Sequence, residues 1–264
     1  GDITSWQFTF IAVGLPGILL AMILATLAEP MRRETLSDTG ARSVSWREGM
    51  NFVRSRKKAY GAYLLGAPFI VITLYALQAW VPTLLIRVHG MDIADAGRGY
   101  GSIALICGSA GVLSGPVLAK YFSRKGHKDA GLRAATLAAA ALLPAIVFAG
   151  FTADTTLALL AIAVSSFFVT VPMALFTTGL QAVTPNEMRG VIAGIYVVIV
   201  NLFGLALGPT SVALVTDYVF ADAGAVGASM AIVCAVSLPV AMLMFYFGMG
   251  EGSSSDSEGR VVGH

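Results

Sequence analysis

The chain has 264 residues, 56% of them hydrophobic and only 12% charged, with a formal net charge of +2. Soluble globular domains carry roughly 25% charged residues, so this composition excludes an ordinary water-soluble fold. The cations sit in loops rather than along one stripe, which leaves no nucleic-acid footprint. Cys107 and Cys234 both lie inside apolar runs, so neither a disulfide framework nor a metal-ligand spacing is present.

Seven apolar runs near span length follow one another, at 8–28, 60–86, 97–119, 131–151, 156–180, 190–215 and 224–248. About 20 residues of helix cross the ~30 Å hydrocarbon core, so each run is expected to be a transmembrane helix. Each also holds a proline, in order Pro16, Pro68, Pro116, Pro144, Pro172, Pro209 and Pro239. In a membrane bundle neighbouring helices re-satisfy the carbonyls that proline frees, so these positions do not argue against helix. The first run is preceded by Gly1 and by no signal-peptide pattern, which reads as a fragment or a processed product.

The 29–58 connection carries Ser45 followed by Glu48, the spacing of a capping box. Beyond it Trp46, Met50 and Val53 share one helical face, and Arg47, Arg54 and Arg56 occupy the rest. Two readings stand side by side: a short amphipathic helix on the membrane interface, and a plain basic loop that only enforces topology. In the 60–86 run Tyr75 and Gln78 are three apart on one face and are candidates for solute contact, whereas Trp80 suits an interfacial aromatic belt. The 97–119 run lines up Gly101, Ala104, Gly108, Gly111 and Gly115, a face for close helix packing.

The 156–180 helix carries the longest polar pattern. Ser166, Thr170, Thr177 and Gln181 form one stripe on a 3.6-residue period. Such a stripe suits a wet cavity wall, although Ser and Thr can also bond the carbonyl one turn back. In the 190–215 run Val197, Asn201, Gly204 and Gly208 share a face. There Asn201 is expected first to hydrogen-bond across a helix interface and second, with Tyr196 nearby, to line a cavity. Ser229 and Ser237 of the last run are expected to sit on an outer, lipid-facing helix. The tail after Gly250, EGSSSDSEGR, has a disorder-like composition.

Lys and Arg set the orientation. Fifteen fall in the 29–58 and 120–133 connections, at Arg189 and at Arg260, while Arg87 and Arg98 alone fall on the other side. The basic side is therefore expected to be cytoplasmic, with residue 1 outside and the C-terminus inside a multi-pass cell (inner) membrane protein. All fifteen acidic residues fall in loops, termini or helix ends. No ionisable side chain stands at mid-membrane, where a proton-coupling group would be sought.

Several of these stretches resemble, in order, parts of the major facilitator superfamily of transporters. WQFTFIAVGLPGILLAMILATLAEPMRRE, from Trp6, is similar to the sixth helix and its exit. RVHGMDIADAGRGYGSIALICGSAGVLSGPVLAKYFSRKG resembles the seventh-to-eighth helix region and ends on the C-half copy of the family's loop motif. Gly115, Leu118, Ala119, Arg124 and Lys125 fit that motif, while Lys120 stands where the family carries an acid and so removes a partner from the loop's usual gating salt bridge. TPNEMRGVIAGIYVVIVNLFGLALGPTSVALVTD resembles the tenth-to-eleventh connection and the eleventh helix. Within the superfamily the pattern looks most like the spinster-like group, and organic-anion/cation symporters share much of it.

The resemblance implies an all-α integral membrane fold, with seven transmembrane helices corresponding to helices 6–12 of a twelve-helix transporter. Residues 1–28 would be helix 6 of the N-terminal bundle, 29–58 the inter-bundle linker, 59–249 the C-terminal six-helix bundle and 250–264 the cytoplasmic tail. It implies a secondary transporter working by alternating access, moving a small amphipathic or lipid-like solute of the lysophospholipid or sphingosine-phosphate type with a proton or other coupling ion. An organic-anion/cation symporter or drug exporter is the alternative. Its partners would be the lipid bilayer and the N-terminal half of the transporter, on the same or a separate chain. No cofactor, metal or catalytic residue is expected, since His89, His127 and His264 are isolated from any nucleophile–base spacing. A non-transporting scaffold or receptor on the same fold remains the more distant alternative.

Overall fold

The computed structural model describes residues 5–26 and 45–249. Residues 1–42 and 43–264 form two compact units, and each is described by itself. In the first unit, α1 (Ser5–Ala25) runs through Pro16. Its apolar stretch, Phe10–Ala25, is shorter than a full span, and residues 27 and 28 of the expected first run lie outside the described residues, as do 27–44 of the connection and the 250–264 tail.

The second unit opens with α2 (Trp46–Ser55), where the capping box closes. The Ser45 hydroxyl accepts from the Arg47 amide at 3.3 Å, and the Ser45 amide donates to the Glu48 carboxylate at 3.0 Å. Met50 and Val53 pack on the bundle while Trp46 stays exposed. Of the two readings of this stretch, the structure has the helix. A short turn, α3 (Lys57–Gly61), leads into the bundle.

Six helices are long and apolar enough to cross a membrane: Ala62–Arg87, Ile93–Arg124, Ala130–Phe151, Thr155–Ala182, Asn186–Phe220 and Ala223–Gly248. Their regular parts are α4 (Ala67–Arg87), α5 (Ile93–Ile103), α6 (Ser109–Arg124), α7 (Ala130–Phe151), α8 (Thr155–Ala182), α9 (Arg189–Leu214) and α10 (Val226–Gly248). Pro82, Pro116, Pro144, Pro172, Pro209 and Pro239 all sit inside continuous helices. Wide π turns occupy Ala62–Gly66, Ala104–Gly108 and Val215–Phe220.

The packing order is α4 on α9 and α10, α7 on α10 and α8, and α6 on α8. All six spans share one apolar core, in which the Phe176 and Phe245 rings meet at 5.4 Å. Exposure is uneven. The Ile93–Arg124 and Asn186–Phe220 spans bury only 17% and 28% of their most apolar stretches, against 39–50% for the other four. These two therefore present the broadest uncovered faces of the bundle. Ser229 and Ser237 are buried, not lipid-facing, and the Ser229 hydroxyl bonds the Ala225 carbonyl at 3.0 Å. The last helix packs on both α7 and α4, which covers its small-residue face.

The glycine face of the Ile93–Arg124 span meets α8 over part of its length. A Cβ on Gly115 would lie 2.5 Å from the Val171 carbonyl oxygen, and one on Gly111 would collide with the Phe167 carbonyl. Gly101, expected on the same face, has nothing within 4 Å. The π turn at Ala104–Gly108 explains the difference. An i→i+5 turn inserts a residue into the α-helical register, and one residue is about 100° of rotation at 3.6 per turn, which swings Gly101 off the packed face. Gly111→Val is therefore expected to lower the melting temperature in detergent through overpacking of about 1–3 kcal/mol. Gly101→Val should leave it unchanged, and equal melting shifts would refute the register argument.

Candidate functional site

The seam between α4 and α9 is built around Gly204 and Gly208. Side chains at these positions would strike Val71 and Tyr75 in one case and the Ile72 carbonyl, 2.7 Å away, in the other. Two polar groups fasten the same seam. The Tyr75 hydroxyl donates to the Asn201 side-chain carbonyl at 3.1 Å, and the Trp80 indole N–H donates to the Pro209 carbonyl at 2.9 Å. The Asn201 amide nitrogen also donates to the Val197 carbonyl at 2.9 Å, so both ends of that amide have partners. Trp80, which sequence assigns to an interfacial belt, is thus also an interhelical tie.

One turn further along α9, a small cavity opens between α9 and the end of α8. Thr177 and Gln181 of α8 and Tyr196 and Val197 of α9 line it, together with Thr184 and Arg189. Its volume is about 60 Å³, room for about two waters at ~30 Å³ each. Drug-sized ligands occupy about 300–1,000 Å³, so in this conformation the cavity holds no such molecule.

Arg189 is the residue that sequence reasoning used for topology alone. Its Nε donates to the Gln181 and Thr184 carbonyls, each at 3.3 Å. These carbonyls lie at and just past the end of α8, where cations are favoured by the helix dipole. The signal available in sequence was a basic residue shortly after a helix C-terminus. The cavity wall is consequently not uncharged, as the polar stripe alone suggests. Arg189 adds a cationic side chain to its lining. Thr184 is also held from the other side, by the Tyr60 hydroxyl at 3.0 Å.

The structure divides the predicted stripe on α8. Thr177 and Gln181 are exposed to the cavity region. Thr170 turns into the glycine face of the neighbouring span, where its hydroxyl donates to the Gly108 carbonyl at 2.9 Å, and Ser166 is buried. The azimuth is shared, but different neighbours cover it: α6 and its π turn at one end, open space beside α9 at the other. Tyr75, Asn201, Tyr196, Thr177 and Gln181 thus form one connected region, with Val197 bridging seam and cavity. Gln78 is exposed on α4, outside it. Of the loop-motif residues, Gly115 packs against α8, Arg124 is exposed in the last turn of α6, and the Lys125 ammonium lies 4.4 Å from the Tyr121 ring centre. Among the described residues no group of three or more His, Cys, Asp or Glu could hold a metal ion.

A bundle of six apolar membrane-length helices with a polar recess between two of them is the architecture of a multi-pass membrane protein. The model of the Major Facilitator Superfamily matches residues 1–209, and the chain belongs to that superfamily, whose members here are transporters and not enzymes. It is 26% identical over 222 residues to an MFS-type efflux pump of Mycolicibacterium smegmatis, covering 83% of this chain and 50% of that one. It is 25% identical over 218 residues to the probable galactarate/D-glucarate transporter GudP of Bacillus subtilis, covering 75% and 47%. The chain spans about half the length of the curated relatives it matches. Among solved structures, a bacterial homologue of the human lysosomal transporter Spinster, inward-facing and occupied, superposes with a TM-score of 0.64 at 21% identity, covering 94% of this chain and 58% of that one. The Escherichia coli fucose:proton symporter FucP superposes with a TM-score of 0.61 at 16% identity, covering 92% and 55%.

Two predictions follow from the seam. Tyr75→Phe and Asn201→Leu should each lower thermal stability, and their double mutant should lose less than the sum. The coupling expected for a hydrogen bond between membrane helices is about 0.6 kcal/mol. Strict additivity would mean that the bond does not form in the membrane.

Proposed function

We propose that this chain supplies one wall of the solute pathway of a secondary transporter working by alternating access, and that the solute is an amphipathic anion. The observation that carries the proposal is the convergence of Thr177, Gln181, Tyr196 and Arg189 on one recess between α8 and α9. Hydroxyl, amide and guanidinium groups beside an apolar wall suit a molecule with a hydrogen-bonding, negatively charged head and a hydrocarbon body. A lysophospholipid or sphingosine-phosphate type of solute meets both demands. The likeness to the Spinster homologue supports the fold in which such a solute would move.

A small organic acid is the second reading. It is favoured by the relatives named as galactarate/D-glucarate transporters and by the small size of the recess. The two readings share the anion and differ in the body attached to it.

The other wall would come from an N-terminal bundle, on the same or a separate chain. The weakly buried spans Ile93–Arg124 and Asn186–Phe220 offer it the surface. A proton or another ion would drive the cycle. Its carrier would lie in that other bundle, because the recess here contains no carboxylate. In this arrangement residues 59–249 act as the C-terminal bundle, α2 belongs to the linker, and the basic ends of the helices face the cytoplasm.

Gln181→Leu removes one neutral hydrogen-bonding group, worth about 0.5–1.5 kcal/mol, and should weaken apparent solute affinity by several-fold without loss of membrane insertion. Arg189→Gln should weaken anions more than uncharged analogues, with Arg189→Lys intermediate. Uptake of labelled sphingosine phosphate and of galactarate into proteoliposomes carrying the transporter checks both, and unchanged affinity for every anion would remove the proposed role of the recess. Topology is tested separately. A cysteine replacing Ala153 should react with an impermeant reagent from outside and one replacing Lys128 only from the cytoplasm; the reverse would overturn the orientation.

A further inference from the structure

A second recess lies away from the one between α8 and α9. An open-sided groove of about 790 Å³ lies at the basic end of the bundle, between the start of α7 and the end of α10, with Phe122 of α6 at its edge. It has two chemically different parts. Near the start of α7 stands Arg133, whose Nε is shielded from solvent and has no hydrogen-bond partner. Below it Leu137 and Ala140 of α7 and Tyr246 and Phe247 of α10 form an apolar wall, and Leu137, Tyr246 and Phe247 are all exposed. Arg133 and Ala140 are seven residues apart, so the groove runs about 10 Å along the helix at 1.5 Å per residue. That is most of one leaflet's half of the ~30 Å hydrocarbon core.

The electrostatics single out an anion. A guanidinium N–H without a partner in a desolvated place is costly. Arg133 also stands in the first turn of α7, the positive end of the helix dipole, where a further cation is disfavoured and an anion is stabilised. The Nε itself finds no acceptor among the described residues. The end of α6 and the loop after it add Arg124, Lys125 and Lys128, all exposed. Asp129, the N-cap residue of α7, also lines the groove and supplies its one carboxylate, so the cations around it outnumber the acids. α7 and α10 are both membrane-length helices, so an apolar floor that runs along them from their basic ends would extend from headgroup depth toward the bilayer centre. Tyr246, an amphipathic aromatic at that level, fits a lipid–water boundary.

We propose that this groove is a binding site for one anionic phospholipid, with the phosphodiester against Arg133 and an acyl chain along Leu137, Ala140 and Phe247. A phosphate group is the chemistry recognised, and the acyl-lined floor assigns it to a lipid headgroup rather than to free phosphate. The site lies on α7 and α10, away from the α8–α9 recess, and is a structural or regulatory lipid seat and not part of the solute pathway.

The test is native mass spectrometry of the full chain released from detergent, titrated with phosphatidylglycerol, with phosphatidylcholine and with inorganic phosphate. Wild type should retain one phosphatidylglycerol in preference to phosphatidylcholine, and millimolar phosphate should not displace it. Arg133→Gln should reduce phosphatidylglycerol retention by about tenfold or more, the size of one hydrogen bond to a charged group, and Arg133→Lys should restore part of it. Leu137→Trp fills the floor without touching the charge and should weaken both lipids, while Arg98→Gln, at the other end of the bundle, should change nothing. Thermal melts of each variant separate loss of lipid from loss of fold. Undiminished preference for phosphatidylglycerol in a folded Arg133→Gln protein would overturn the proposal. Displacement by inorganic phosphate alone would do so as well, since it would make the groove a free-anion site.

Discussion

A polar group in hydrocarbon must find its partner inside the protein, because no water is there to provide one. The α4–α9 seam shows how this chain meets that demand. Gly204 and Gly208 remove the side chains that would hold the helices apart. Only then can the Tyr75 hydroxyl reach Asn201 and the Trp80 indole reach the Pro209 carbonyl. Without a hydrophobic force between helices in lipid, close backbone contact and these few bonds are what select one packing over another. The seam in turn fixes the face of α9 that bears Tyr196 and Val197, and with it one side of the recess.

The second side is fixed by α8, and there the same rule produces a different result. Thr170 is packed against the neighbouring span, its hydroxyl within bonding distance of the Gly108 carbonyl at the end of a π turn as well as of the Ser166 and Phe167 carbonyls of its own helix. Thr177 and Gln181, about two and three turns along the same stripe, keep their side chains toward the cavity. A π turn near a functional wall is a common association. Here the span that carries it covers one part of the polar stripe and leaves the other part lining the cavity. Arg189 closes the arrangement by capping α8 and adding a cationic side chain to the cavity lining.

Much of this was legible in the residues. Composition and run length are enough for an all-helical membrane bundle, because lipid leaves few other solutions. The capping box at Ser45 and Glu48 needs only local spacing, and Asn201 in an apolar run needs a partner wherever it sits. What was not legible depends on neighbours that sequence does not name. Ser166, Thr170, Thr177 and Gln181 have one azimuth, so periodicity cannot separate them; the crossing of α6 does. Gly101 leaves its face because of a π turn that no residue type announces. Ser229 and Ser237 read as outer-helix residues and are buried, since the last helix packs against two neighbours. Arg189 was visible as a charge but not as a cap, because its partners are backbone carbonyls, which every residue has.

The account rests on the division of that one helix face into a structural half and a cavity half. Its most direct test is solute protection of single cysteines introduced at positions 170, 177 and 181 in the assembled transporter, with a water-soluble thiol reagent. A bound anionic solute should slow modification of Thr177→Cys and Gln181→Cys by severalfold and leave Thr170→Cys, which is covered by the neighbouring helix, slow with or without solute. Fast, solute-sensitive modification at position 170 with no protection at 177 and 181 would contradict the account.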